Sequence, residues 1–309
     1  MINARTNYGQ KGLHGLYWGI HRFVDSNWCI KMKNMGGSVE RLPDQDLSRV
    51  KSTDSLVIMG NIWVHKDEKE CVLFRHPDIV SKTGADWWYW DNPQLPHLLY
   101  RGDWNPMGHK NWMRLIQNNT ATPPTTAFEN SDGRINRQLN KITHGKHTTW
   151  ESIVGPRRPV EARSKVALLC PSGAGIFPNY YNINKTDWIR EKTLQLQKQG
   201  WEVILRDKPS RGQREIDNGK LYEQLTMQNI GITVSIHSVG PVESLLAGVP
   251  AIVEGRHAGG PGTTPWQDFI QTGAINTPHQ SDVDAWVETI LNHTYHKTEA
   301  YTGEWHNGK

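Results

Sequence analysis

The sequence predicts an α/β protein made of two Rossmann-like halves. Three observations lead there. In the C-terminal half, short apolar runs alternate with helix-length stretches at the spacing of β-α-β units. Those runs are apolar at consecutive positions, which suits strands of a parallel sheet covered on both faces. The 309-residue chain is too long for one ordinary core and fits two domains of roughly 150 residues each.

In the first half, "MINAR" (1–5) reads as a short strand and "NYGQKG" (7–12) as a glycine-containing loop. "LHGLYWGIHRFVD" (13–25) then sets Leu13, Leu16, Tyr17, Ile20 and Phe23 or Val24 at helical spacing. "WCIKM" (28–32) is a second strand candidate. "STDSLVIMGN" (52–61) is the clearest strand of this half and ends in Gly60 and Asn61. The repeated alternation defines an N-terminal domain over 1–160. Its last stretch, 117–160, is polar, proline-bearing and poor in large apolar residues, so it is predicted to hold the interdomain linker and a loop.

The second domain, 161–309, is easier to read. "KVALLC" (165–170) is a strand that runs into the turn "PSGAG". "KTDWIREKTLQLQKQG" (185–200) is a helix with Thr186 as N-cap, an apolar face of Trp188, Ile189, Leu194 and Leu196, and Gly200 as the stop. "WEVILRDKP" (201–209) is a strand ending in charge, and "GKLYEQLTMQNIG" (219–231) a short helix. "ITVSIHS" (232–238), "PVESLLAG" (241–248) and "VPAIVEG" (249–255) follow as strand, helix and strand. "SDVDAWVETILNHTYHK" (281–297) is a final helix.

Composition narrows the function classes. A hydrophobic content of 36% with 21% charged residues describes a folded chain, not a disordered one. No run approaches the roughly 18 apolar residues of a membrane span. The first residues lack the charged-then-apolar order of a secretory signal, so a cytoplasmic location is expected. Cys29, Cys71 and Cys170 show no metal spacing and are expected to be reduced, buried thiols. The net charge of +4 and pI near 8.8 permit a polyanionic partner without demanding one. Five of the 14 tryptophans fall in the segment from Trp87 to Trp112. Ring stacking on a sugar or base, or an aromatic core seam, would each account for that density.

In parallel α/β sheets, ligands bind outside the carboxyl ends of the strands. The first strand of the second domain ends at Pro171, Ser172 and Gly173. The second ends at Arg206, Asp207 and Lys208. The third ends at Ser235, Ile236, His237 and Ser238, and the helix after it carries Glu243 in its first turn. The fourth ends at Glu254, Gly255 and Arg256. Arg206 and Lys208 supply cations for phosphate oxygens. The turn "SVGPVE" is expected to aim backbone N–H groups and the positive end of a helix dipole at the same anion. Glu243 suits the hydroxyls of a ribose; its other reading is an acid that only complements the dipole.

"VSIHSVGPVESLLAGVPAIV" resembles the donor-binding segment of GT-B glycosyltransferases: a strand, Ser or His, small residues, a Glu on a short helix, then a Gly-x-Pro and another strand. The resemblance covers about 110 residues of the second half and is looser in the first. It implies two Rossmann-like domains facing each other across a cleft. It also implies a nucleotide-sugar donor, UDP-sugar as the family default, and no tightly bound cofactor. On this resemblance Glu243 holds the ribose. Ser172, His237, Ser238, Val239 and Gly240 lie near the diphosphate, with Arg206 and Lys208 on the phosphates. "YGQKGLHG" resembles the loop that faces the acceptor in those enzymes and places His14 beside the sugar. "WYWDNPQLPHLLYRGDWN" resembles a segment of phage glycosyltransferase-like proteins. From it, Asp91 or Asp103 becomes the candidate general base, and Tyr100, Arg101 and Asn105 become acceptor-side candidates.

There is no clear DxD metal element, so no metal is required, and the two cations can neutralise the leaving diphosphate. The acceptor is expected to be a hydroxyl, foremost on hydroxymethylated bases of phage DNA. The basic run 134–147, with Arg134, Arg137, Lys141, His144, Lys146 and His147, is either a loop that tracks phosphates or a solvated face. A saccharide acceptor, a sugar-nucleotide 2-epimerase of the same architecture, and a non-catalytic nucleic-acid-binding protein are the alternatives.

Overall fold

The computed structural model describes residues 3–7, 39–42, 52, 54–59, 84–91, 94–95, 112–118, 133–146, 148–154, 157–207, 220–296 and 299. They form a mixed α/β protein with two sheets and two compact units. Unit 1 comprises Met1–Pro93, Lys110–Pro124 and His293–Lys309; unit 2 comprises Gln94–His109 and Thr125–Asn292.

Unit 1 carries a six-stranded sheet. Strands β1 (Asn3–Asn7), β2 (Val39–Leu42), β3 (Asp54–Met59) and β4 (Asp86–Asp91) run parallel in the spatial order β2-β1-β3-β4. β5 (Trp112–Gln117) lies antiparallel to β4, and β11 (Thr294–His296) antiparallel to β5. "MINAR" and "STDSLVIMGN" are strands as expected, whereas the helix and strand expected over 13–32 lie outside the described residues. Trp88, Tyr89, Trp112, Leu115 and Ile116 are buried. Arg114 stacks over the Tyr89 ring, 5.3 Å from its centroid. For Trp88 and Trp112, the aromatic-rich stretch is therefore core.

Unit 2 is built on a five-stranded, wholly parallel sheet. Its strands are β6 (Val166–Cys170), β7 (Glu202–Leu205), β8 (Ile232–Ser238), β9 (Ala251–His257) and β10 (Thr264–Pro265), in the order β7-β6-β8-β9-β10. The helices are α1 (Arg134–Ile142), α2 (Glu151–Val154), α3 (Lys185–Lys198), α4 (Lys220–Met227), α5 (Gly240–Leu246), α6 (Trp266–Thr272) and α7 (Gln280–Asn292). On β8, Ile232, Val234 and Ile236 pack on one face, in a core with Trp188 and Leu196 of α3 and Trp266 and Phe269 of α6. Thr233 points the other way and donates to Ser244 of α5 at 2.8 Å; Ser244 donates to the Val249 carbonyl, also at 2.8 Å. Helices thus cover both faces, which is why the buried stretches of β6, β8 and β9 are largely apolar.

Several local readings change. The cap of α3 is Asn184, whose side chain accepts from the backbone N–H of Thr186 at 2.7 Å and of Asp187 at 3.4 Å; Thr186 is not the cap. Gly200 does sit past the helix end with φ +79°, as a helix stop requires. Leu194, expected on the apolar face, is 52% exposed. Residues 134–142 and 151–154 are helical where linker and loop were expected, and they bury Ile135, Leu139 and Val154. The last helix stops at Asn292, and the next residues form β11 instead of a further turn.

Candidate functional site

The strand order of unit 2 reverses direction between β6 and β8. From β6 the chain steps outward to β7, then crosses back to place β8 on the other side of β6. The crevice at the carboxyl ends of two such strands is where doubly wound sheets bind ligands, because the connecting loops diverge there.

At and beside this switch point lie Ser172, Arg206, His237, Ser238, Val239, Gly240 and Glu243, the described residues that were expected on the donor side. Ser172, just past β6, is buried, and its hydroxyl lies 2.7 Å from both the Ile236 and His237 carbonyls of β8. It secures the end of β8 through the backbone. His237 has φ +46°, a left-handed conformation uncommon outside glycine, beside a register irregularity between Ile236 and Ser238. Arg206 follows β7; its backbone N–H donates to Leu169 of β6 at 2.9 Å. Its guanidinium Nε donates to Gln224 of α4 at 3.1 Å. Glu243 is only 5% exposed. Arg206 and Glu243 both act on the Cys170 thiol at the end of β6. Burial pushes that thiol up to about 12; Arg206 opposes the shift and Glu243 adds to it.

The start of α5 offers fewer N–H groups than its sequence promised. Gly240 N–H donates to the Ser238 hydroxyl at 3.0 Å, Pro241 has none, and Val242 N–H turns back to the Val239 carbonyl at 3.2 Å. An anion placed here would therefore meet side chains more than these amides.

Two participants were not singled out from the sequence. Tyr181 ends the wide helical turn Phe177–Tyr181 that follows the "PSGAG" loop. Its hydroxyl lies 3.2 Å from His237 Nδ1 and accepts the Arg256 backbone N–H at 3.2 Å. Gln224 positions Arg206. The sole sequence signal for Tyr181 was an aromatic pair shortly after a glycine loop, and a π-type turn has no usable pattern.

No protein-family model matches the chain, and no curated protein matches it. Among solved structures it is similar to KpsC of Thermosulfurimonas dismutans, a β-Kdo 2,7 transferase, with 11% identity and a TM-score of 0.46 over 97% of each chain. A likeness this loose transfers neither residues nor chemistry, so the site stands on its own geometry.

The remaining candidates fall elsewhere. Asp91 is the last residue of β4 in unit 1, in register with Arg114 of β5. His14, Tyr100, Arg101, Asp103, Asn105 and Lys208 lie outside the described residues. Glu254, expected at the end of its strand, lies within β9, where it accepts the Trp188 indole N–H at 2.6 Å and pairs with the buried Lys192 at 3.2 Å. Lys192 in turn lies 4.6 Å from the Trp266 ring centroid, so this carboxylate ties α3 to β9. In the basic run, Arg134 donates to the Leu291 and Asn292 carbonyls at 3.1 and 3.2 Å, capping the C-terminus of α7. That guanidinium serves the fold. Among the described residues no helix is long and apolar enough to cross a membrane, and no three His, Cys, Asp or Glu side chains cluster as metal ligands.

Proposed function

We propose that this chain is a glycosyltransferase that moves a sugar from a nucleoside-diphosphate sugar to a hydroxyl acceptor, with unit 2 as the donor half of a GT-B architecture and UDP as the nucleotide. The observation that carries this reading is that Arg206 after β7, His237 near the end of β8 and the buried Glu243 of α5 lie at the carboxyl ends of neighbouring strands, with Arg206 and Glu243 both acting on the Cys170 thiol at the end of β6. A guanidinium and an imidazole suit diphosphate oxygens. A carboxylate there would repel phosphate but accepts hydrogen bonds from ribose hydroxyls. Unit 1, with Asp91 at the end of β4, is the acceptor half in this reading, and Asp91 is the base that takes the acceptor proton. Hydroxymethylated DNA bases are the first acceptor class to try.

Calorimetric titration with UDP tests the donor site. The parent should bind. Arg206→Ala and Glu243→Gln should each weaken binding by a factor of at least about ten, the worth of one hydrogen bond to a charged group. Parent-like binding by both variants would overturn the assignment. Incubation with a panel of nucleotide sugars, plus DNA with or without 5-hydroxymethyl bases or free saccharides, read by mass spectrometry of the products, then identifies the acceptor.

A further inference from the structure

We propose that the outer edge of strand β7 is where two copies of this chain associate, their β7 strands pairing antiparallel about a two-fold axis at Ile204 to join the two unit 2 sheets into one. The donor-site reading above plays no part in this.

β7 is the outermost strand of its sheet and pairs with β6. The ladder fixes which backbone groups face outward. Glu202 N–H donates to the Lys165 carbonyl at 2.8 Å and Arg206 N–H to the Leu169 carbonyl at 2.9 Å, so residues 202, 204 and 206 turn their amides toward β6. By the two-residue alternation of a strand, Val203 and Leu205 turn their N–H and C=O groups the other way. Among the described residues, neither is bonded to another element. The strand is also apolar and open. Ile204 is 36% exposed and Leu205 49%, and Leu194, on the helix α3 that packs against β7, is exposed too. Three of the five large apolar side chains exposed among the described residues therefore lie on β7 or on α3. Sheet edges are commonly blunted by proline, lysine or a bulge; β7 has neither residue, and its register with β6 is regular.

Charge selects the occupant. Glu202, Ile204 and Arg206 share one face of the strand, acid at one end and base at the other. A second copy running antiparallel and centred on Ile204 sets Glu202 opposite Arg206 at both ends of the ladder and Ile204 opposite Ile204. Those are non-hydrogen-bonded pairs, in which side chains come closest. In the same register Val203 of each copy exchanges both backbone bonds with Leu205 of the other, so the outward amides are satisfied. A shift of two residues either way keeps the amides paired but sets Ile204 against a charge. One register thus matches hydrogen bonds, apolar surface and charge together. A contact built on a four-residue strand is small, so the dimer is weak and reversible.

Sedimentation velocity of the full chain at about 1 µM and about 100 µM should show monomer passing to dimer. Glu202→Arg sets like charges opposite at both ends of the ladder, and so does Arg206→Glu; each alone should weaken association at least about tenfold. Mixed one to one, the two variants present opposite charges at both ends. Heterodimers should then outnumber either homodimer in native mass spectrometry, with one variant 15N-labelled. Leu205→Pro removes an outward N–H but no bond to β6, so it should abolish the dimer and leave the thermal transition in place. A parent that stays monomeric at about 100 µM would overturn the proposal and leave the edge to another occupant. Charge variants that dimerise like the parent, a mixture that associates no better than its parts, or open-ended assemblies in place of a dimer would each overturn it as well. If a charge variant fails to fold, Leu205→Pro decides; if Leu205→Pro fails to fold, the charge mixture decides.

Discussion

His257 shows how burial of one side chain becomes a property of the protein. The ring lies at the end of β9, and desolvation holds its pKa below the ordinary 6.5. The folded chain therefore keeps it neutral in a range where the unfolded chain takes up a proton. Above 6.5 this difference costs nothing; below it, stability falls as pH drops toward the folded pKa. Urea unfolding at about pH 7.5 and about pH 5.5 should show the parent losing stability, and His257→Asn should lose less over the same interval. A parallel fall in both proteins would assign the acid sensitivity elsewhere. At this scale the sequence singles out residues by charge and ring chemistry, as with Arg206, His237 and Glu243. It was silent where meaning depends on a neighbour: nothing in the order of letters says that Tyr181 meets Gly255, 74 positions later.

The β8–α5–β9 element turns on a buried relay. Thr233 donates to Ser244, and Ser244 to the carbonyl of Val249, with Ser244 entirely buried. Ser244→Ala would leave a hydroxyl and a carbonyl without a partner in a dry interior, at a cost of about 1–3 kcal/mol in unfolding free energy. Thr233→Val with Ser244→Ala should cost less than the sum of the single changes, since the second removes a group the first has orphaned. Strict additivity in denaturant unfolding would refute the relay. The elements of unit 2 were legible because parallel strands buried on both faces need uninterrupted apolar runs, as "VALLC", "ITVSI" and "AIV" supply. Helices α1 and α2 were not, because "RINRQLNKI" buries only a narrow stripe around Ile135 and Leu139 and reads as a basic, polar stretch. The cap of α3 was misread by two positions because Asn184 and Thr186 are both good caps, and only backbone geometry separates them.

Over the whole molecule, the alternation of strands and helices was readable in unit 2, and the strands at 3–7 and 54–59 in unit 1, but the path of the chain between units was not. A three-residue strand such as β11 has no periodicity to detect, and its place is set by pairing with β5. Beyond that ladder, Leu115 N–H donates to the His293 carbonyl at 2.8 Å, and His296 lies edge-on to the buried Trp112 with centroids 5.3 Å apart. Deleting 293–309 should therefore weaken unit 1 and spare unit 2, whose sheet uses none of these residues. Differential scanning calorimetry should show one transition moved down by several degrees, on the order of 4–8 °C per kcal/mol for a domain of this size, while the other stays in place. A single transition that moves as a whole would mean that the two units unfold together.

The return of β11 also sets a clock on synthesis. Domains emerging from the ribosome generally fold in the order they are made. Among the described strands, unit 1 holds both the first and the last, so all five strands of the unit 2 sheet are made before the older sheet has β11. Until His296 has been added, the outer edge of β5 lacks that partner and is the kind of edge to which another nascent chain can pair.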